Sequence, residues 1–181
     1  MPRPPAAVLE RAARVRLVVF DVDGVLTDGR LLIGDNGVEY KAFHSRDGHG
    51  MKMLKATGVE LAIITGRRSR LVAERMASLG ITHVHQGSAE KLPVFDGMIA
   101  ELGMDAEVVA YVGDDVVDLP VMARAGFAVA VADAHPLVRE HAHWCTGSAG
   151  GRGAAREVCD LIMRAQGTLD AVHRQYLGAG S

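Results

Sequence analysis

The run Leu17-Val18-Val19-Phe20 stops at Asp21-Val22-Asp23-Gly24, and this switch from unbroken apolar residues to two aspartates and a glycine limits what the chain can become. A short β-branched and aromatic run without polar alternation reads as a strand buried on both faces, the habit of a parallel sheet covered by helices. The two acids then stand at the strand's C-terminal end, the edge where the loops of an open α/β sheet carry ligand-binding groups. Asp21 and Asp23 project to the same side while strand geometry lasts, and Gly24 lets the backbone turn. Two like charges so close repel unless a cation or a shared proton offsets them, and Mg²⁺ meets that need. A solvated acidic turn is the plain alternative for the Asp-x-Asp pair taken alone.

The rest of the chain repeats the pattern. Residues 30–33 and 38–43 read as two strands about Gly34-Asp35-Asn36-Gly37, a hairpin whose second arm has one apolar face that the parent domain or a neighbouring subunit must cover. Helical spacing follows over 47–57, with Gly58 as a stop, then a buried strand over 60–64 ending in Thr65-Gly66-Arg67. Residues 69–79 read as an amphipathic helix, 82–85 as a strand and 89–102 as a helix beginning near Lys91. A further buried strand, 107–112, ends in Gly113-Asp114-Asp115, and a helix over about 118–125, a strand over 127–131 and a short helix over 136–141 follow. Residues 147–153 form a glycine-rich loop, 154–166 an amphipathic helix, and 167–181 a mobile tail. The alternation of strands and helices predicts an α/β fold on a parallel sheet.

At 181 residues the chain suits a single domain, residues 1–181. A net charge of −2 gives no nucleic-acid footprint and no basic membrane patch, so the expected partner is a small molecule or another copy of the chain. Residues 1–16 carry prolines and arginines without a long apolar core, which reads as neither signal peptide nor anchor, and a cytoplasmic setting is expected. Cys145 and Cys159 are then reduced thiols. His83-x-His85 and His141-x-His143 near Cys145 lack the tight four-ligand spacing of a zinc site.

Three strand ends carry chemistry in a fixed order: Asp21-x-Asp23, Thr65-Gly66, and Gly113-Asp114-Asp115 with Asp118, with Lys91 between the last two. Parallel strands bring them to one edge. The set holds a carboxylate nucleophile, a second carboxylate for proton transfer, a hydroxyl and amides for a phosphate, a lysine, and acids for Mg²⁺.

In this order the motifs resemble those of the haloacid dehalogenase superfamily of phosphotransferases, over residues 15–131. Asp23-Gly24-Val25-Leu26-Thr27-Asp28-Gly29, the hairpin, Arg46-Asp47-Gly48, Ile64-Thr65-Gly66-Arg67 and Gly150-Gly151-Arg152-Gly153-Ala154 are further similar to the 3-deoxy-D-manno-octulosonate 8-phosphate phosphatase family. The resemblance implies a three-layer Rossmann-like parallel sheet with a protruding β-hairpin and no separate cap domain. It also implies a homotetramer joined through the hairpins and a place in lipopolysaccharide precursor synthesis. By the same resemblance Asp21 attacks phosphorus to give an aspartyl phosphate, and Asp23 protonates the leaving oxygen and then deprotonates the attacking water. Mg²⁺ would be held by Asp21, the Asp23 carbonyl and Asp114, with Asp115 and Asp118 behind them, and an oxygen-rich site of this kind accepts Mn²⁺ or Co²⁺ as well. Thr65 and Gly66 would bind phosphate oxygens, and Lys91 would neutralise the nucleophile and the transferring group. Arg67, Arg75, Lys52 and the His44-Ser45-Arg46-Asp47-Gly48 loop would bind the sugar acid, arginine matching a carboxylate bidentately. His44 and Lys52 stand where the family pattern has asparagine and arginine. Arg152 and the segment after Gly167 are expected to help cover the open site.

Three other readings compete. A phosphatase of a nine-carbon nonulosonate 9-phosphate shares the chemistry. A response-regulator receiver domain also groups acids, a threonine and a lysine, but its acceptor follows a middle strand. A silent assembly module has no use for so many mutually repelling carboxylates.

Overall fold

A computed structural model describes residues 4–178; residues 1–3 and 179–181 lie outside the description, and with them the first residues of the opening segment and the last of the tail. The elements are helix α1 (Ala6–Ala13), strand β1 (Leu17–Phe20), the hairpin β2 (Leu32–Ile33) and β3 (Glu39–Tyr40), α2 (Ser45–Ala56), β4 (Glu60–Thr65), α3 (Arg70–Ser78) and β5 (His83–Gln86). There follow α4 (Lys91–Glu101), β6 (Val109–Gly113), α5 (Leu119–Arg124), β7 (Phe127–Ala130), α6 (Pro136–His141), β8 (Trp144–Cys145), α7 (Ala154–Ala165) and α8 (Leu169–Tyr176).

Six strands form one all-parallel sheet in the order β5-β4-β1-β6-β7-β8. Its centre is β1, where Val19 lies beside Ala62 of β4 and Tyr111 of β6. All four β1 residues are fully buried, and burial of side chains of this size is worth about 1.5–3 kcal/mol each. Helices α1 and α2 pack on α7 as one flanking layer, and α4 and α6 pack on α5 as the other. From β1 the sheet grows to β4 and β5 on one side and to β6, β7 and β8 on the other, so the chain reverses its winding at β1. That switch point opens the cleft in which such sheets bind ligands. Among the described residues no second domain caps it, and no helix is long and apolar enough to cross a membrane.

The hairpin protrudes as expected, but its strands are shorter than the alternating pattern suggests. Only Leu32–Ile33 and Glu39–Tyr40 pair, because the arms extend beyond the sheet and have no third strand to prolong the ladder. Leu31, Leu32, Ile33, Val38 and Tyr40 are exposed. The stretch after Gly167, expected to be a mobile tail, instead carries α8. Its Leu169 and Val172 are buried and it packs on α7, while the Tyr176 ring meets His49 edge-on at 5.4 Å. One apolar pair three residues apart is too short a signal for periodicity to register. The short β8 and α1, whose Val8 and Ala12 are buried, also add to the elements read from sequence.

Candidate active site

The aspartate turn is held from several directions. Asp21 has just left β1, and its amide still donates to Val112 O of β6 at 3.0 Å, so the sheet fixes its position. The chain then folds tightly, with the amides of Leu26 and Thr27 donating to Val22 O at 2.9 and 3.0 Å. Gly24 has φ +95°, and a Cβ there would run into the Asp114 carboxylate; glycine is what lets the turn and the end of β6 approach. The glycine-rich loop lies across the same turn: the Gly151 amide donates to Val25 O at 2.9 Å, and a Cβ on Gly150 would strike the Gly24 carbonyl.

Lys91, in the first turn of α4, points into the acids and is 4% exposed. Its Nζ lies 3.0 Å from Asp21 Oδ2 and 2.7 Å from Asp118 Oδ1. The Tyr111 hydroxyl donates to the same Asp118 Oδ1 at 2.7 Å, and the Asp114 and Asp115 amides donate to Asp118 Oδ2 at 3.0 and 3.2 Å. Both oxygens of this buried carboxylate are therefore engaged. By contrast, Asp21 Oδ1 and Asp114 Oδ1 are buried without any partner. Carboxylate oxygens of Asp21, Asp114 and Asp118 lie within 4.8 Å of one another.

Burial pushes the Asp114 carboxyl up to about 8, helped by the charges of Asp118 and Asp21. Burial also raises Asp21 to about 6, with Asp118 adding to the shift and Lys91 opposing it. Lys91 is itself desolvated, but Asp21 and Asp118 outweigh that and raise it above the ordinary lysine value. An unpartnered buried oxygen costs about 1–3 kcal/mol. A divalent cation between Asp21 Oδ1 and Asp114 Oδ1 would satisfy both atoms and remove the repulsion, so the donor set fits a hard oxygen-seeking ion.

Other residues singled out in the sequence fall in three places. Thr65 ends β4 beside β1 and is 2% exposed, with Gly66 following it. Asp23 faces the hairpin: its Oδ1 takes the Lys41 ammonium, and Arg67 Nε stands 3.9 Å from its Oδ2. Arg75 lies against Gly48 with its guanidinium 6.0 Å from the Phe43 ring centre, next to a buried and unpartnered His44 Nδ1.

Several are not brought to the acid cluster. Asp115 is exposed and caps its own turn, accepting from the Val116 amide at 2.7 Å. Asp47 is 2% exposed, and its oxygens accept from the Gly153 and Arg156 amides at 3.2 and 2.9 Å, so it caps the start of α7. Ser45, Arg46 and Lys52 are exposed on α2. Arg46 lines a separate cavity of about 530 Å³ with Arg152 and Arg156. Arg152 nonetheless reaches back to Asp28 of the aspartate turn, 3.7 Å away.

Tyr111, Lys41 and Glu39 are functional candidates that the sequence reading passed over. A tyrosine inside the apolar strand Val109-Ala110-Tyr111-Val112 does carry a signal, since a buried hydroxyl needs a partner. Glu39 and Lys41, two apart on a hairpin arm, share one face for the same reason as Asp21 and Asp23.

An all-parallel sheet whose strand ends carry Asp21 and Asp114, with Lys91 from α4 closing on Asp21 and Asp118, defines a haloacid dehalogenase-like hydrolase. The model of that family matches residues 84–158. The chain is 52% identical over 170 residues to the 3-deoxy-D-manno-octulosonate 8-phosphate phosphatase KdsC of Escherichia coli K12, spanning 94% of this chain and 90% of that protein. It belongs to the 3-deoxy-D-manno-octulosonate 8-phosphate phosphatase family. Two crystal structures are similar throughout. A probable YrbI family phosphatase from Pseudomonas syringae has 53% identity and a TM-score of 0.94, over 96% of this chain and 98% of that one. The phosphatase of Moraxella catarrhalis, solved in complex with a magnesium ion, a phosphate ion and a KDO molecule, has 40% identity and a TM-score of 0.92, over 93% and 97%. The chain is an enzyme, a phosphatase, and its Asp21, Asp114 and Asp118 oxygens form a cluster that fits a divalent cation such as the magnesium ion of the Moraxella structure.

Proposed function

We propose that this chain hydrolyses 3-deoxy-D-manno-octulosonate 8-phosphate to the free sugar acid and phosphate through an aspartyl phosphate on Asp21. The observation that carries this reading is the pair of buried, unpartnered oxygens, Asp21 Oδ1 and Asp114 Oδ1, beside a lysine that neutralises Asp21 Oδ2. With the Asp23 carbonyl, these two oxygens would hold Mg²⁺, while Asp118, its own oxygens spent on Lys91, Tyr111 and two amides, stands behind them. Bound Mg²⁺ supplies charge neutralisation for the transferring phosphoryl group.

Asp21 attacks phosphorus in line with the departing ester oxygen. As the new O–P bond forms and the ester P–O bond breaks, Asp23 gives its proton to the sugar oxygen. The Asp23 carboxylate then takes a proton from water as that water attacks the aspartyl phosphate, which restores Asp21 and releases phosphate. Lys91 offsets the charge gathering near Asp21, and Thr65 and the Gly66 amide bind the equatorial oxygens. Arg75, seated on Gly48 and Phe43 beside His44, binds the sugar-acid carboxylate.

The exposed apolar hairpin, with Ile33 62% and Tyr40 58% accessible, supports assembly of copies into a homotetramer. A cytoplasmic setting and a small-molecule substrate, without nucleic acid or membrane, complete the reading. The test is phosphate release with Mg²⁺ from 3-deoxy-D-manno-octulosonate 8-phosphate beside a nonulosonate 9-phosphate, with Asp21→Asn as control. Preference for the first ester, abolished in the variant, is expected. Preference for the nine-carbon ester moves the substrate, and no release from either refutes the reading.

A further inference from the structure

Asp23 is bound into a ring of four charges that the hairpin completes. Lys41 donates its ammonium to Asp23 Oδ1 and stands 3.4 Å from Glu39 Oε1. Glu39 Oε1 in turn accepts from Arg67 Nη2 at 3.1 Å, and Arg67 Nε lies 3.9 Å from Asp23 Oδ2. With Asp23 ionised, as it is once it has given up its proton, two anions and two cations balance. Burial would raise the Glu39 carboxyl, but Lys41 and Arg67 hold it below its ordinary value.

Within the ring Lys41 is the unusual member, since its side chain is only 1% exposed whereas Arg67 is 47% exposed. A buried ammonium is costly unless its partners are fixed. The structure gives it two carboxylates, one on its own hairpin arm and one on the catalytic turn. Tyr40, between Glu39 and Lys41, points the other way and is exposed. One arm of the hairpin thus presents an apolar face outward and a charged face to Asp23.

We propose that Lys41, oriented by Glu39, is a positioning residue that holds the Asp23 carboxyl group where it meets the ester oxygen of the substrate. This rests on the phosphatase reading and adds the hairpin to its machinery. In the first half-reaction the Asp21 O–P bond forms, the ester P–O bond breaks with its electron pair going to the sugar oxygen, and that oxygen takes the Asp23 proton. A carboxyl group free to rotate at the mouth of an uncapped cleft meets that oxygen only part of the time. Tethering Oδ1 to Lys41 stops that rotation and leaves Oδ2, which has Arg67 Nε only at 3.9 Å and accepts no hydrogen bond from it, as the oxygen that can meet the substrate.

The consequence is a dependence on the leaving group. An alkyl ester oxygen needs the proton as it departs, whereas p-nitrophenolate leaves without it. Steady-state kinetics with Mg²⁺ on 3-deoxy-D-manno-octulosonate 8-phosphate and on p-nitrophenyl phosphate therefore test the proposal. Lys41→Met is expected to lower kcat/KM at least tenfold on the sugar ester and no more than threefold on the aryl ester. Glu39→Gln should show a smaller loss with the same preference, which serves if Lys41→Met folds poorly. In an Asp23→Asn background, Lys41→Met should add no further selective loss, because it acts through Asp23. Equal losses on both esters, no loss on either, or losses that add to those of Asp23→Asn overturn the positioning role and leave the phosphatase reading standing. A wild-type enzyme silent on both esters overturns that reading, and the positioning role with it.

Discussion

The Lys91 ammonium lies closer to Asp118 Oδ1, 2.7 Å away, than to Asp21 Oδ2 at 3.0 Å. Asp118 is the anchor of the lysine, and it also holds the Asp114 amide, so one fully buried carboxylate orients both the group that neutralises the nucleophile and the strand end that carries a metal oxygen. Asp118→Asn keeps the shape and removes the charge. The concentration of Mg²⁺ needed for half-maximal phosphate release is expected to rise about 10- to 100-fold, as is usual when a group behind the metal ligands is lost. Titrating activity with Mg²⁺ checks this, and an unchanged Mg²⁺ requirement would count against an orienting role.

Without metal, Asp21 near 6 and Asp114 near 8 both lie above the ordinary carboxyl value, so the folded protein binds more protons than the unfolded chain in between. The contribution of these two groups to stability is then greatest in acid and falls as pH rises from about 4 through 6 to 8, the direction opposite to that of a salt-bridged acid. Mg²⁺ binds the ionised form and reverses the trend. Thermal melts from pH 5 to 8.5 should show Tm falling with pH in EDTA, and a Mg²⁺-induced rise in Tm that grows with pH. A Mg²⁺ increment that shrinks toward pH 8.5 would contradict the assignment.

Much of this site is legible in the sequence because each strand end announces itself. Buried runs such as Leu17–Phe20 and Val109–Gly113 stop at acids, and parallel strands must bring those ends to one edge. What stays hidden depends on contacts between distant residues. Asp47 looks like part of a binding loop, yet it caps α7, accepting from an amide 109 residues away, and nothing local to Arg46-Asp47-Gly48 encodes that partner. Asp115 and Asp118 look alike beside Asp114. Only the turn over Val116–Asp118 decides that the first faces solvent and the second the core. Lys41 lies in a hairpin whose register to the aspartate turn is set by folding, and α8 is too short for its two buried residues to make a pattern.

Gly150 touches the aspartate turn where no side chain fits. A methyl group there would meet the Gly24 carbonyl, a backbone atom that cannot swing aside, and the loop is further fixed by Asp133 Oδ1, which accepts from the Gly150 amide at 2.9 Å. Gly150→Ala is expected to cost about 1–3 kcal/mol of stability, the range for forcing extra volume into a packed site. It should also lower kcat more than it raises KM, since the displaced turn carries Asp21 and Asp23. Urea unfolding and steady-state kinetics together test this. A variant as stable and active as the parent would show that the loop yields.

Arg75 offers the clearest separation of substrate recognition from chemistry. Its guanidinium is held by the Phe43 ring and the bare backbone of Gly48, and among the described residues it forms no ion pair, so its hydrogen-bond donors remain available to a ligand carboxylate. Arg75→Met preserves much of the packing on Phe43 and removes the fork. On 3-deoxy-D-manno-octulosonate 8-phosphate the variant is expected to show KM raised at least tenfold with kcat within about threefold, because the lost contact is made equally in the ground and transition states. On p-nitrophenyl phosphate, which has no carboxylate, both constants should stay within about twofold of the parent. A matching loss on the two esters would place Arg75 on the phosphate rather than the sugar acid. Arg75→Lys keeps the charge but not the planar fork, and it should recover only part of the affinity.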